Sequence, residues 1–269
     1  MGSTDLDTFS EALNGITQWA RDWQLPVSTE KSSLMLFSHS LELSGGQNLS
    51  LDNEMLSCLK KTLDLGVTFD SDLRFKSQIN LACGKAKQRL YLLRKRILTS
   101  NSELIIFVYK IYVMPILMYC SPIWSPQTHD ECLKLEKIQK KFTKSLLGFG
   151  DLSYSERLVK ANLKSLELNR IFADLILCYK ILHDLVDIDK KHIFSFETGC
   201  SVTRNHGLKL RALIYPKCNT ALFSYGYRVA KLWNGLSSNA VWSPTLSCFK
   251  KCLNNEDFSE SLLLKYDTF

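Results

Sequence analysis

The 269-residue chain lacks the short motifs that announce most catalytic chemistries. It contains no GxGxxG, no GxxxxGK[ST], no HExxH and no GxSxG, which removes the usual signatures of dinucleotide and P-loop phosphate binding, zinc peptidases and serine hydrolases. No CxxC occurs among its nine cysteines, the nearest pair being Cys248 and Cys252. Paired zinc ligands and a disulfide framework are therefore not indicated, and the expected state is buried or free thiols in a reducing compartment. Five histidines, at 39, 129, 183, 192 and 206, share no ligand spacing. No two aspartates are adjacent; Asp70/Asp72 and Asp187/Asp189 stand two apart and read first as turn residues rather than a Mg²⁺ site. The first fifteen residues lack the basic-then-apolar order of a secretory signal. The most apolar run, residues 104 to 120, is short and interrupted by Lys110 and Pro115, so no membrane span is expected. These absences predict an intracellular protein, cytoplasmic or nuclear, with no membrane partner.

What the chain does have is charge in one place. Lys and Arg number 34 against 27 Asp and Glu, a net of +7. Between Leu73 and Arg96 stand Arg74, Lys76, Lys85, Lys87, Arg89, Arg94, Lys95 and Arg96, with no acidic residue among them. That window holds the whole excess. A basic helix on a near-neutral body is the electrostatic footprint of phosphate-backbone contact. The nucleic-acid-binding candidates are therefore Lys76, Lys85, Lys87, Arg89, Arg94, Lys95 and Arg96.

Apolar spacing predicts a mainly helical chain with a small N-terminal antiparallel β element, an α+β arrangement. Leu6, Phe9, Leu13, Ile16, Ala20 and Trp23 recur every three or four residues, predicting a first helix over 4–23 with one apolar face. Strands are predicted at 33–37 and 62–70, with a turn at 44–48. Ile79, Ala82, Ala86, Leu90, Leu93 and Ile97 stripe the basic helix. Residues 102–119 read as a buried helix, kinked or split at Pro115. Residues 131–147 are amphipathic, with Leu135, Ile138, Phe142 and Leu146 on one face and Lys134, Lys137, Lys140, Lys141 and Lys144 making a second basic surface. One or two helices follow over 154–185, then a loop over 195–219, an amphipathic stretch over 223–236 and a last helix over 246–253. The five tryptophans are expected in cores.

Taken in order, these segments resemble the C-terminal portion of a non-LTR (LINE-type) retrotransposon reverse transcriptase of the jockey-like group. WARDWQLPVSTEKSSLMLF is similar to the end of the polymerase palm. LGVTFDSDLRFKSQINLACGKAKQRLYLLRKR is similar to the family's LGV primer-grip strand and first thumb helix. YVMPILMYCSPIW, LEKIQKKFTKSLLG, SYSERL and LWNGL…FKKCL are similar to successive pieces of the post-thumb region. The resemblance covers roughly residues 5 to 253. It implies a palm remnant over 1–70, a thumb-like basic helical domain over 71–150 and a C-terminal helical region over 151–269. It also implies that Lys31 is the palm lysine and that Leu65, Gly66 and Val67 belong to the primer grip.

Departures are visible. The family's Asn-x-x-Lys-Cys reads Ser28-Thr29-Glu30-Lys31-Ser32, its Leu-Pro after Trp-Asn reads Leu236-Ser237, and Leu-Glu-x-Arg-Arg keeps one arginine, Arg170. The family's Asp-Asp metal-binding pair has no counterpart here, so no catalytic residue is assigned. The resemblance thus implies nucleic-acid partners (RNA, DNA or a hybrid duplex), a missing fingers–palm segment as a second partner, no cofactor bound by this chain, and Mg²⁺ only for the full-length polymerase. The alternatives are a decayed transposon fragment without activity and a stand-alone helical nucleic-acid-binding or interaction module.

Overall fold

The structure is a computed structural model that describes residues 3–25, 27–37, 49–52, 54–97, 99–196, 207–213 and 222–264. It is mainly helical, with eleven α-helices and four two-stranded sheets among the described residues. The chain divides into two compact units, Met1–Phe75 and Lys76–Phe269.

The first unit opens with α1 (Ser3–Asp22). Its expected apolar face is mostly uncovered: Ala20 is buried, but Phe9, Ile16, Trp19 and Trp23 are exposed, the last at 67%. The placement of Trp19 and Trp23 in a core is thereby corrected; their rings lie 6.3 Å apart on the surface. The reason is the size of what faces the helix. Among the described residues, strand β2 (Ser50–Leu51) is two residues long and brings Leu51 against it, too little to cover its length. The strand predicted over 33–37 shrinks to β1 (Ser33–Leu34), which pairs in parallel with β4 (Ser57–Cys58), while β2 pairs antiparallel with β3 (Glu54–Met55). The turn expected at 44–48 lies outside the described residues.

The single strand expected over 62–70 is a hairpin. Strands β5 (Lys61–Asp64) and β6 (Val67–Asp70) pair antiparallel around Leu65 and Gly66. Both turn residues have positive φ, 45° and 81°, the signature of a type I′ turn whose twist suits a two-residue hairpin. Gly66 takes this conformation freely; Leu65, 86% exposed, takes it against its Cβ. Replacing Leu65 with Asn is expected to stabilise this unit by about 1 kcal/mol, read as a shift in the urea midpoint at constant slope. A neutral or negative shift would refute the strain argument. Val67 and Phe75 are buried, and Phe75 meets Phe69 edge-on at 5.5 Å.

The second unit is a helical assembly. Helix α2 (Lys76–Arg96) buries Gln78, Ile79, Ala82, Cys83 and Ala86. The next helix breaks where Pro115 demands: α3 (Ser102–Tyr112) ends at Val113, and α4 (Met114–Met118) carries the proline in its first turn, where its missing N–H costs nothing. Helix α3 is not buried as expected. Ile106 and Tyr109 face inward, whereas Leu104, Phe107, Ile111 and Tyr112 are exposed. After the short α5 (Ser121–Trp124), α6 (His129–Lys144) begins with a capping box between Thr128 and Glu131. Its predicted face, with Leu135, Ile138, Phe142 and the following Leu146, is buried throughout.

Two helices follow, α7 (Tyr154–Lys160) and α8 (Leu166–Leu182), each N-capped by a serine. The loop predicted over 195–219 contains part of a strand pair: β7 (Phe194–Phe196) pairs with β8 (Leu210–Ala212), burying Phe194 and Leu210. Helices α9 (Tyr225–Asn234), α10 (Ser238–Val241) and α11 (Leu246–Leu253) complete a core around Leu175, Tyr179, Trp233 and Phe249. Trp124 and Trp233 sit in cores as expected, each donating its indole N–H to a backbone carbonyl. Trp242, also expected in a core, is exposed.

Candidate nucleic-acid interface

The seven cationic side chains assigned to the basic helix all lie on α2 and all are exposed. Helical spacing sorts them. Lys76, Lys87 and Arg94 fall along one border of the buried face, Lys85, Arg89 and Arg96 along the other, and Lys95 opposite the core. No acidic residue lies on the helix to neutralise them.

Helix α6 runs beside the first border in the same direction. Lys134 bonds the Asn80 side chain, and Arg94 donates to the Ser145 hydroxyl at 2.5 Å and the Lys141 carbonyl at 3.4 Å. Cys83 of α2 is buried, and burial raises its thiol pKa against the opposing charges of Lys134, Lys87 and Arg170. Lys134, Lys137, Lys141 and Lys144 are exposed on α6, whose Glu136 points inward and whose Glu131 is used in the cap. The two basic segments therefore form one continuous cationic surface. Arg94 has a second role there: it brackets α2 to α6 as well as adding charge.

The remaining candidates are elsewhere. Lys31 is exposed in the 3₁₀ turn Thr29–Lys31. Leu65 and Gly66 form the hairpin tip described above, and Val67 is a buried residue of β6. These residues belong to the first unit, whereas α2 belongs to the second. Asp72 accepts the N–H of Arg74, and Asp189 caps Lys191, so one member of each spaced aspartate pair serves a turn. Among the described residues no group of three or more His, Cys, Asp or Glu side chains converges as a metal site, and no helix is long and apolar enough to cross a membrane.

Beneath the basic surface lies a buried polar network that spacing does not reveal. The Tyr109 hydroxyl donates to Gln139, whose amide donates to the Tyr154 hydroxyl and the Lys164 carbonyl. Tyr154 donates to Glu136, and the Leu166 N–H donates to the same carboxylate at 3.1 Å. The network anchors α6 to α3, α7 and α8, and so fixes the helix that carries the second basic segment. Burial pushes the Glu136 carboxyl above its ordinary 4.5, with the Tyr154 bond and the Arg170 charge opposing the rise. A raised folded value means that the native state binds the proton more tightly than the unfolded chain. Its contribution is full below pH 4.5 and is lost as pH rises through the raised value. The Glu136→Gln variant is expected to flatten this part of the pH–stability curve, measured as thermal midpoints from pH 4.5 upward; an unchanged slope would remove Glu136 as its source.

The chain matches no protein-family model, no curated protein and no solved structure.

Proposed function

We propose that this chain is the C-terminal part of a non-LTR-type RNA-directed DNA polymerase that lacks the catalytic Asp-Asp motif and retains a sequence-independent hold on a primer–template duplex. The observation that carries the reading is the exposed, acid-free cationic face of α2 with the α6 lysines beside it. Long side chains on a fixed helix pair suit a phosphate backbone, whose charges repeat regularly and are met without base contacts. Such contacts are independent of base identity, so RNA, DNA and hybrid duplexes are all within the chemistry of this surface. In the same reading Lys31 lies near an incoming triphosphate, and Leu65, Gly66 and Val67 near a primer end, only when a fingers–palm segment is supplied. Polymerisation by this chain alone is not proposed.

The test is fluorescence anisotropy of the purified chain with a labelled RNA–DNA hybrid across a salt series. Engagement of about five phosphates predicts a log–log slope near about −4.5. A flat salt dependence, or no binding at low salt by a helical, monodisperse sample, would overturn the reading.

A further inference from the structure

A cleft of about 330 Å³ opens in the second unit where the C-terminal ends of α2 and α6 meet α3. Leu90 and Leu93 line it from α2, Ile97 from just beyond that helix, Ile105 and Val108 from α3, and Phe142 from α6. Phe142 is buried, but the other five are only half-buried. Three helices thus leave apolar wall uncovered here, and an apolar guest lying against it would be favoured by the area removed from water.

The polar part of the lining is Arg94, Thr99 and Ser145, and no acidic residue belongs to it among the described residues. Arg94 donates to the Ser145 hydroxyl, so its guanidinium stands with Ser145 at the edge of the cleft, and the residue is exposed. Among the described residues its two bonds, to Ser145 and to the Lys141 carbonyl, both leave from Nη2, which leaves Nε and Nη1 as donors for an anion. The carbonyl ends of α2 and α6 bring partial negative charge to this end of the cleft. Their last turns outweigh it with Arg94, Lys95, Arg96, Lys141 and Lys144 and no acidic residue. Glu103, in the first turn of α3, is exposed and is not part of the lining.

We propose that this cleft binds a free medium-chain fatty acid, its alkyl chain along Leu90, Leu93, Ile105, Val108 and Phe142 and its carboxylate against Arg94. A charged donor with an aliphatic slot beside it matches an anion that carries a saturated chain. The lining offers no side-chain amide or carboxylate to read a base edge, so a nucleobase fits it less well. The volume stands at the small end of the roughly 300–1,000 Å³ usual for ligand pockets, room for one chain rather than two. Arg94 also belongs to the cationic surface, but the proposal does not rest on nucleic-acid binding.

The experiment is ligand-observed NMR with thermal midpoints on the full chain without nucleic acid, using octanoate, hexanoate and octanol as probes. Octanoate is expected to bind with a dissociation constant on the order of 1 mM. Hexanoate, with two methylenes fewer to cover, should bind about tenfold more weakly, and octanol at least about tenfold more weakly for want of the charge. Arg94→Gln is expected to bring octanoate down to the affinity of octanol and to leave octanol unchanged. Because Arg94 also ties α2 to α6, octanol serves as the control: general damage to the cleft would weaken both probes. Val108→Trp fills the slot from its half-buried α3 side while leaving Arg94 in place, and binding of both probes should fall. Each of the following would overturn the proposal: no binding of octanoate at about 10 mM, equal affinity for octanoate and octanol, equal affinity for octanoate and hexanoate, Arg94→Gln weakening both probes alike, or undiminished octanoate binding in either variant.

Discussion

Changing Lys85, Lys87, Arg89 and Lys95 together to Glu is expected to abolish binding to duplexes and hybrids while leaving the fold intact. The four substitutions move the net charge from +7 to −1, since each changes it by two, and they place repulsion on both borders and the outer side of α2. For wild-type chain, about five phosphate contacts imply a loss of about 500-fold in affinity between about 50 and 200 mM salt, from a slope of about 0.9 per contact. The variant is expected to bind at least as weakly at about 50 mM salt as wild type does at about 200 mM. Arg94 is spared because it ties α2 to α6 through Ser145 and Lys141; changing it would mix lost charge with lost packing. The replaced side chains are exposed, so circular dichroism should report the same helix content. Retained affinity in a well-folded variant would show that the cationic face is not the binding surface.

The largest effect on stability is expected at Arg228. Its guanidinium holds both oxygens of Asp174 and also donates to the carbonyls of Phe223 and Pro122. One side chain thereby joins α9, α8 and α5. Asp174 is 2% exposed, and burial raises its pKa even with Arg228 opposing the rise. Replacing Arg228 with Met leaves that carboxylate buried without its cation, a change worth about 3–5 kcal/mol. In a unit of this size the thermal midpoint should fall by about 6–20 °C. Adding Asp174→Leu is expected to restore part of the loss but not all, because the two carbonyls remain without their donor. A double variant no better than the single one would show that the carboxylate was not the source of the cost.

The parts of the fold legible in the sequence are those whose signals are local. Helix α6 can be read because Thr128 and Glu131 form a capping box and Leu135, Ile138 and Phe142 repeat at helical spacing. Helix α11 is legible on similar grounds: Thr245 caps the Cys248 N–H, and Phe249 and Leu253 stand four apart on the buried side. The hairpin at Leu65-Gly66 is not legible, because its first turn position carries Leu where Asn or Asp would signal a type I′ turn. The uncovered faces of α1 and α3 are not legible either: an apolar stripe states that a helix can be buried, and a partner decides whether it is. The pairing of β7 with β8 joins Phe194 to Ala212, and the sequence between them shows no strand periodicity.

The candidate interface divides in the same way. Residue order is enough to establish that the entire positive excess lies between Leu73 and Arg96, that the segment is helical and that acidic residues are absent from it, because charge and helical period are properties of successive residues. It takes the packed molecule to turn all seven cations outward, to lay α6 alongside so that its lysines extend the same surface, and to bond Arg94 across the two helices. Packing likewise brings Asp174 to Arg228 while enclosing Arg170 without an acceptor for its terminal nitrogens. Burial and long-range pairing depend on which helices meet, and contacts such as Arg94 to Ser145 or Arg228 to Asp174, between residues far apart in the chain, leave no periodic trace in it.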